Sequence, residues 1–240
     1  MENKFILNSE ISKNLGDNSQ IWENIFANKE WGKYPSEYLI RFIARNFYNV
    51  SNRKDINILE LGLGTGANLW FCAREGFSVS GIEWSQNGVD RFLKRMKEEN
   101  LLNFVKDIKI GDYFEKLDEF EDESFDCFID NYSLAYNDFD KTKQIIEKVM
   151  KKLKPKAKFI SATPSFNNLG FYHDENLAYH TCKPTQGPDA FTGEIRYCDD
   201  KDITSLYNGA NYKVDCVKTL ISKEKDIVEK ELYIIEGSKL

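Results

Sequence analysis

Ile58-Leu59-Glu60-Leu61-Gly62-Leu63-Gly64-Thr65-Gly66 is the stretch on which the reading of this chain turns. A short apolar run carries a carboxylate, Glu60, and then breaks into glycines at alternate positions. Such a run reads as a buried parallel strand that enters a glycine turn and opens a helix. Glycine lets the backbone approach a ligand closely, and the helix start offers N–H groups without intrahelical partners. The carboxylate at the strand tip selects the ligand. It favours a cofactor that carries positive charge at that point.

Gly62-x-Gly64-x-x-Ala67 also satisfies the dinucleotide fingerprint, with Glu83 near the spacing of a ribose-binding acid. A pyrophosphate would be repelled by Glu60, so a cationic ligand is the better reading. Glycines that serve strand–helix packing alone are the plainer alternative. The joint occurrence of Glu60, three glycines and Glu83 argues against it.

With 240 residues the chain has room for one substantial core, and two full domains would be a squeeze. Its 41% hydrophobic and 30% charged residues are those of an ordinary globular protein. A formal charge of −6 argues against a general electrostatic grip on nucleic acid or an anionic membrane. No apolar run reaches membrane-spanning length, and Met1-Glu-Asn-Lys-Phe-Ile-Leu7 lacks the core and cleavage site of a signal peptide. The cysteines (Cys72, Cys127, Cys182, Cys198, Cys216) are scattered and show no metal-type pairing. Free thiols in a reducing cytoplasm are the expectation.

Residues 1–50 are expected to form a helical N-terminal lid. Ile21, Trp22, Ile25 and Phe26 share one helical face, as do Leu39, Ile40, Phe42, Ile43 and Phe47. Between them Trp31-Gly-Lys-Tyr-Pro35 is an aromatic-rich break. From residue 51 to 240 one domain is expected. Strands are predicted over 56–61, 77–82, 108–110, 125–129 and 158–162. Helices are predicted over 67–75, 85–99 and 141–153, with Ser85 placed to cap the second of them. This alternation implies a parallel sheet covered on both faces. Apolar alternation over 213–221 and 227–235, around Ser222-Lys-Glu-Lys-Asp226, adds an antiparallel hairpin. Residues 164–200 form the longest irregular stretch, and loops of that length are usually functional.

Across residues 35–240 this order resembles the class I S-adenosylmethionine-dependent methyltransferases. Glu60-x-Gly62-x-Gly64-x-Gly66 is similar to their first motif and Glu83 to the acid closing their second strand. Gly111-Asp112 is similar to their adenine-side acid, and Lys151-Lys-Leu-Lys-Pro155 to the turn before their fifth strand. Lys156-Ala157 stands where that turn usually has glycines. The terminal hairpin is a further shared feature. The resemblance implies an α/β, Rossmann-like, doubly wound and mostly parallel seven-stranded sheet, an enzyme, and S-adenosylmethionine as cofactor.

Glu60, Glu83, Asp112 and Asp130 all end predicted strands and should ring one crevice. Glu83 suits the two ribose hydroxyls, Trp84 the face of the adenine, and Asp112 its amino group, with Tyr113 flanking the ring. Trp31 and Tyr34 can fold over the cofactor, or simply staple the first helices to the sheet. Plainer roles also exist for the others: Glu83 as a helix-capping acid, Trp84 as packing, Asp112 as a turn acid. Methyl transfer mainly asks a protein to align the partners and exclude water. A hydroxyl acceptor also needs a base, or a metal that acidifies it. The two histidines, His173 and His180, lie in the long loop and are candidate bases, as is Asp130. Asp130 and Asn131 with a loop histidine can supply ligands for Mg²⁺ or Mn²⁺, although the spacing is not diagnostic and no metal ligand is assigned.

The tip Asp130-Asn-Tyr-Ser133 lacks the Asn/Asp-Pro-Pro-aromatic stack that resembling enzymes use on exocyclic amines of bases. The lysines of 148–158 suit a solvated helix end, so nucleic acid is not expected as a partner. Phe166, Asn167, Asn168, Phe171, Tyr172 and Tyr179 suit the faces and hydroxyls of a sugar. The Trp-Gly-Lys-Tyr-Pro segment is similar to that of bacterial methyltransferases associated with surface-polysaccharide sugars, an analogy at the level of fold. O-methylation of a sugar or nucleotide-sugar is the expected function. N- or C-methylation of another small metabolite, an NAD-dependent oxidoreductase and a non-catalytic nucleotide binder are the alternatives.

Overall fold

In a computed structural model, residues 17–240 are described. The part of the expected N-terminal helical segment before Asp17 lies outside them. Strand β1 (Asn57–Leu61) pairs in parallel with β2 (Ser78–Glu83) on one side and β4 (Phe125–Asn131) on the other. β3 (Val105–Ile110) continues the parallel sheet beyond β2, and β5 (Leu153–Pro164) beyond β4. β9 (Ile227–Lys239) then runs antiparallel to β5, and β8 (Tyr212–Glu224) antiparallel to β9. The sheet has seven strands in the order β3-β2-β1-β4-β5-β9-β8, the mostly parallel arrangement with a terminal hairpin that the sequence implies. A separate two-stranded sheet, β6 (Thr181–Cys182) with β7 (Ile195–Arg196), lies inside the long loop.

Side chains alternate across a strand, so neighbouring residues of β1 enter different cores. Ile58 packs with Phe42, Ile43, Leu69 and Phe92. Leu59 and Leu61 pack with Ile145, Val149, Phe159 and Leu206 on the other face. Helices α2 (Glu37–Phe47), α3 (Ala67–Arg74) and α4 (Gln86–Glu98) cover the first face. The short α5 (Tyr113–Lys116), α6 (Phe139–Lys152) and α7 (Asp200–Tyr207) cover the second. α1 (Asn18–Asn28) lies against α4 at the carboxyl edge of the sheet. Ile40 departs from the expected buried face of α2 and is 37% exposed, while Leu39, Phe42, Ile43 and Phe47 are buried. Ser85 caps α4 as its position implied, accepting from the Gly88 N–H at 3.0 Å.

Several boundaries differ from the apolar pattern. β3 starts at Val105 rather than 108 because it is an edge strand, whose Lys106 and Asp107 can face solvent. β8 and β9 extend to a turn at Lys225-Asp226, since backbone pairing continues through the polar residues Ser222 to Glu224. β5 begins at Leu153, but its register jumps from Phe125↔Leu153 to Cys127↔Lys158. The intervening residues bulge out, and Lys156 there takes φ +66°, the left-handed region that a glycine would occupy without strain. The five cysteines are free thiols. Among the described residues no helix is long and apolar enough to cross a membrane.

Gly66 shows how tightly the glycine turn is packed. It precedes α3 with φ +80°, and a Cβ there would run into the ring of Phe92. Gly66→Ala combines left-handed strain with core overpacking. It is expected to cost at least about 2 kcal/mol, read as a lower urea midpoint at unchanged m-value.

Candidate active site

The turn after β1 carries Gly62, Gly64 and Gly66 at φ +65°, +55° and +80°. It folds back over the end of β2, where the Gly64 N–H donates to Glu83 Oε2 (2.7 Å) and the Ser85 N–H donates to Oε1 (3.0 Å). Each carboxylate oxygen keeps a further lone pair for a ligand donor. Burial pushes the Glu83 carboxyl up to about 6, against the pull of these N–H bonds. Its ionisation therefore opposes folding. That contribution to stability is complete below the ordinary value of 4.5 and is lost as pH rises through about 6. Without ligand, the chain is expected to lose about 2 kcal/mol from this group between mildly acidic and neutral pH. Urea titrations across that range should show this slope in the parent chain and its absence in Glu83→Gln.

Glu60 sits behind the turn, 1% exposed. Its Oε1 accepts from Asn68 Nδ2 at 2.6 Å, while Oε2 has no partner among the described residues. Burial pushes the carboxyl well up, and the nearby Asp130 and Glu83 carboxylates add to the effect. A buried carboxylate oxygen without a donor is costly, and an ammonium group placed beside it removes the cost. This orphaned oxygen is what a cationic cofactor fits. An anionic pyrophosphate does not.

A cavity of about 310 Å³ opens over these groups. Its inner end is walled by Glu60, Gly62, Gly64, Asn68, Glu83 and the rings of Trp84 and Tyr113. These two rings stack at 5.9 Å between centroids, with 24° between planes. The roof is aromatic: Trp22, Phe26, Trp31 and Tyr34. Trp31 meets Trp22 and Phe26 edge-on at 5.3 and 5.6 Å, and Tyr34, 73% exposed, leans on Trp70. Glu23 fastens this roof to the start of α4, accepting from Ser85 Oγ and Asn87 Nδ2.

Two of the residues assigned to the cofactor stand off this wall. Gly66 serves the packing just described. Asp112 caps α5, accepts from the Phe114 N–H (2.8 Å) and pairs with Lys141 Nζ (2.6 Å). It lines a neighbouring cavity of about 830 Å³, which shares Trp84 and Tyr136 with the first.

The outer end of the cavity holds groups most of which the sequence did not single out. Tyr132, at the tip of β4, has φ +82°, a strained conformation for a bulky residue. Its Oη donates to Asp189 Oδ1 and Oδ2 at 2.9 and 2.8 Å, and Tyr197 Oη donates to Oδ2 at 3.1 Å. Tyr38 Oη donates to Asn131 Oδ1. Lys230 Nζ lies 4.6 Å from the centre of the Tyr132 ring. Burial pushes Asp189 up, opposed by the two tyrosine hydroxyls and by Lys230. Burial also pulls Lys230 down, opposed by Asp189. The sequence singles out Asn131 as an oxygen ligand and marks Tyr132 by its place beside a strand end, whereas Tyr38, Asp189, Tyr197 and Lys230 carry no such signal.

The candidate bases go elsewhere. Asp130, 1% exposed, accepts from the Ser133 N–H and Oγ, the Leu134 N–H and Ser161 Oγ, so its oxygens are engaged inside the protein. His180 is held through Nδ1 by Asp202 Oδ2 (2.7 Å) and packs between Phe166 and Tyr179. His173 is exposed. None of the three lines the cavity. The cause is the β6–β7 pair, whose connecting segment brings Pro188, Asp189 and Thr192 to the cavity and leaves both histidines outside.

The residues expected to contact a sugar likewise do not line the cavity. Phe166 and Phe171 stack at 4.6 Å and pack on Cys182, Ile195 and Tyr197. Asn167 and Asn168 donate to Glu231, and Tyr172 bonds to the Lys183 backbone. Tyr179 covers His180. A loop this long needs its own core, to which Phe166 and Phe171 contribute, whereas Tyr172 and Tyr179 stay largely exposed. Among the described residues no group of three or more His, Cys, Asp or Glu side chains is placed to hold a metal ion. Asp130, Asn131 and the loop histidines do not come together as a ligand set for Mg²⁺ or Mn²⁺.

The model of a methyltransferase domain family matches residues 52–229, well over half of the chain. No curated protein sequence matches it. Among solved structures the chain is similar to an S-adenosylmethionine-dependent methyltransferase of Methanosarcina mazei, at 18% identity and a TM-score of 0.66 over 86% of this chain and 99% of that one. It is also similar to the [4+2]-cyclase SpnF, at 14% identity and a TM-score of 0.66 over 93% and 97%. A third is the 1,6-didemethyltoxoflavin-N1-methyltransferase of Burkholderia thailandensis, solved with 1,6-didemethyltoxoflavin and S-adenosylhomocysteine, at 11% identity and a TM-score of 0.62 over 85% and 77%. At these identities the likeness is one of fold, and the cyclase shows that the fold alone does not decide the reaction. The match over residues 52–229, on a sheet that ends in Glu60, the glycine turn and Glu83, makes this chain a member of the methyltransferase domain family, a class I S-adenosylmethionine-dependent methyltransferase.

Proposed function

We propose that the enzyme methylates a hydroxyl of a sugar or nucleotide-sugar, in the biosynthesis of a surface polysaccharide. The observation that carries the reading is the outer end of the cavity, where Tyr38, Asn131, Tyr132 and Asp189 offer ring faces and hydrogen-bonding groups suited to a polyhydroxylated acceptor. S-adenosylmethionine, when bound, supplies a methyl group already activated on a positively charged sulfur. Glu60 and Glu83 would hold its amino group and ribose hydroxyls, and Trp84 and Tyr113 its adenine. The aromatic segment from Trp22 to Tyr34 acts as a lid that excludes water from the transfer. Asp189, its carboxyl raised by burial, takes the proton of the reacting hydroxyl.

Incubation with methyl-labelled S-adenosylmethionine and a panel of sugars and nucleotide-sugars tests the reading. The expected product is a non-basic, acid-stable O-methyl ether. Label that appears only in basic amines, from a parallel panel of nitrogen heterocycles, would move the assignment to N-methylation.

A further inference from the structure

Lys230 stands out among the residues that line the cavity. It is the one cationic side chain on that wall among the described residues, which otherwise carries the carboxylates Glu60, Glu83 and Asp189. It has no hydrogen bond or ion pair with any described residue; its ammonium rests against the Tyr132 ring instead. Asp189, the carboxylate whose charge reaches it, lies outside ion-pair distance and is already bonded by two tyrosine hydroxyls. A partly buried ammonium with no carboxylate or phosphate bonded to it is an incomplete site, because desolvating a charge is costly unless an opposite charge meets it.

The position says which ligand completes it. In the sheet order β1-β4-β5-β9, Lys230 belongs to the strand three places from the tip that carries Glu60. At ~4.8 Å per strand this puts its backbone about 14 Å from the glycine turn, on the far side of Tyr132. Residue 230 also precedes Leu232, the partner of Pro164 at the end of β5, so it projects beyond the carboxyl edge of the parallel strands. That is the acceptor end. The cofactor end has its own charged anchors.

We propose that Lys230 receives an anionic group, a carboxylate or a phosphate, carried by the acceptor. The acceptor class is then an acidic sugar, a uronic acid or a sugar phosphate, and this step rests on the sugar reading above. Lysine suits the task because a point charge on a flexible stem can meet either anion. Asp189 and Lys230 would read the two ends of one ring, the first its hydroxyl and the second its charge.

The test is calorimetric titration of the enzyme loaded with S-adenosylhomocysteine, using D-glucuronate, D-glucose 6-phosphate, D-glucose and malonate. The parent chain is expected to bind at least one anionic sugar about tenfold or more tighter than glucose, the usual scale for a charge-assisted contact. Which of the two is preferred identifies the anion. Lys230→Gln should abolish that preference, Lys230→Arg should keep it, and both should bind S-adenosylhomocysteine as the parent does. Equal binding of charged and neutral sugars by the parent, or a preference that survives Lys230→Gln, overturns the proposal. So does a tenfold loss of S-adenosylhomocysteine affinity in Lys230→Gln, which would assign the lysine to the cofactor's own carboxylate. Lys230-dependent binding of malonate with no binding of any sugar would keep the anion site and overturn the sugar reading instead.

Discussion

Asp189→Asn is expected to lower kcat by about 10²- to 10⁴-fold, the range over which a positioned proton acceptor usually contributes. Asparagine keeps the shape and leaves an oxygen for the Tyr132 and Tyr197 hydroxyls, so the loop that carries residue 189 should keep its place. What it cannot do is take a proton from the acceptor hydroxyl. The affinity for S-adenosylhomocysteine, which we assign to the other end of the cavity, should not change. Because burial raises the Asp189 carboxyl above its ordinary value, the parent enzyme should gain activity as pH rises and that group ionises. The same limb should be missing from the variant. Initial rates of labelled product against pH, measured on both proteins, decide the matter. A variant that turns over at the parent rate would remove Asp189 from the chemistry and leave the cofactor site untouched.

The second large effect is at Glu60. Glu60→Gln should weaken S-adenosylmethionine binding by about ten- to a hundredfold, the loss of one charge-assisted hydrogen bond with a buried partner. The same change should leave the ligand-free protein as stable or more stable, because a buried carboxylate with one orphaned oxygen is replaced by a neutral amide. The sign follows from the direction of the shift. A carboxyl pushed well up by burial contributes stability that is lost as pH rises above its ordinary value, so burying it costs folding free energy at neutral pH. Calorimetry for affinity and thermal melting without ligand should therefore move in opposite directions. A melting temperature that falls along with affinity would mean that Glu60 is structural, held for its bond to Asn68.

The place of the two inner carboxylates was legible for a local reason. A parallel strand buried on both faces leaves its polar residue at the carboxyl tip, so Glu60 and Glu83 announce both the strand end and the edge where the cavity opens. Asp130 bears the same signature and does something else. It stands at the end of β4, yet Ser133, Leu134 and Ser161 take up its lone pairs. Nothing in the run Phe-Ile-Asp-Asn distinguishes a carboxylate that waits for a ligand from one already satisfied by a serine on the next strand. The histidines misled for a related reason. Their chemistry suits a base, but residue type carries no address, and His180 is claimed by Asp202.

The sequence by itself determined the sheet, the glycine turn, the capped α4 and the charge of the cofactor. All of these follow from periodicity and neighbours a few residues apart, where local sterics and burial leave one arrangement. Tertiary structure alone decided the outer end of the cavity, the proposed acceptor end. Tyr132, Asp189 and Lys230 come from the tip of β4, the segment between β6 and β7, and the start of β9. They meet because the sheet inserts β5 between β4 and β9, and because the long loop folds on its own aromatic core. Contacts of that separation are set by how elements pack, and no spacing along the chain records them.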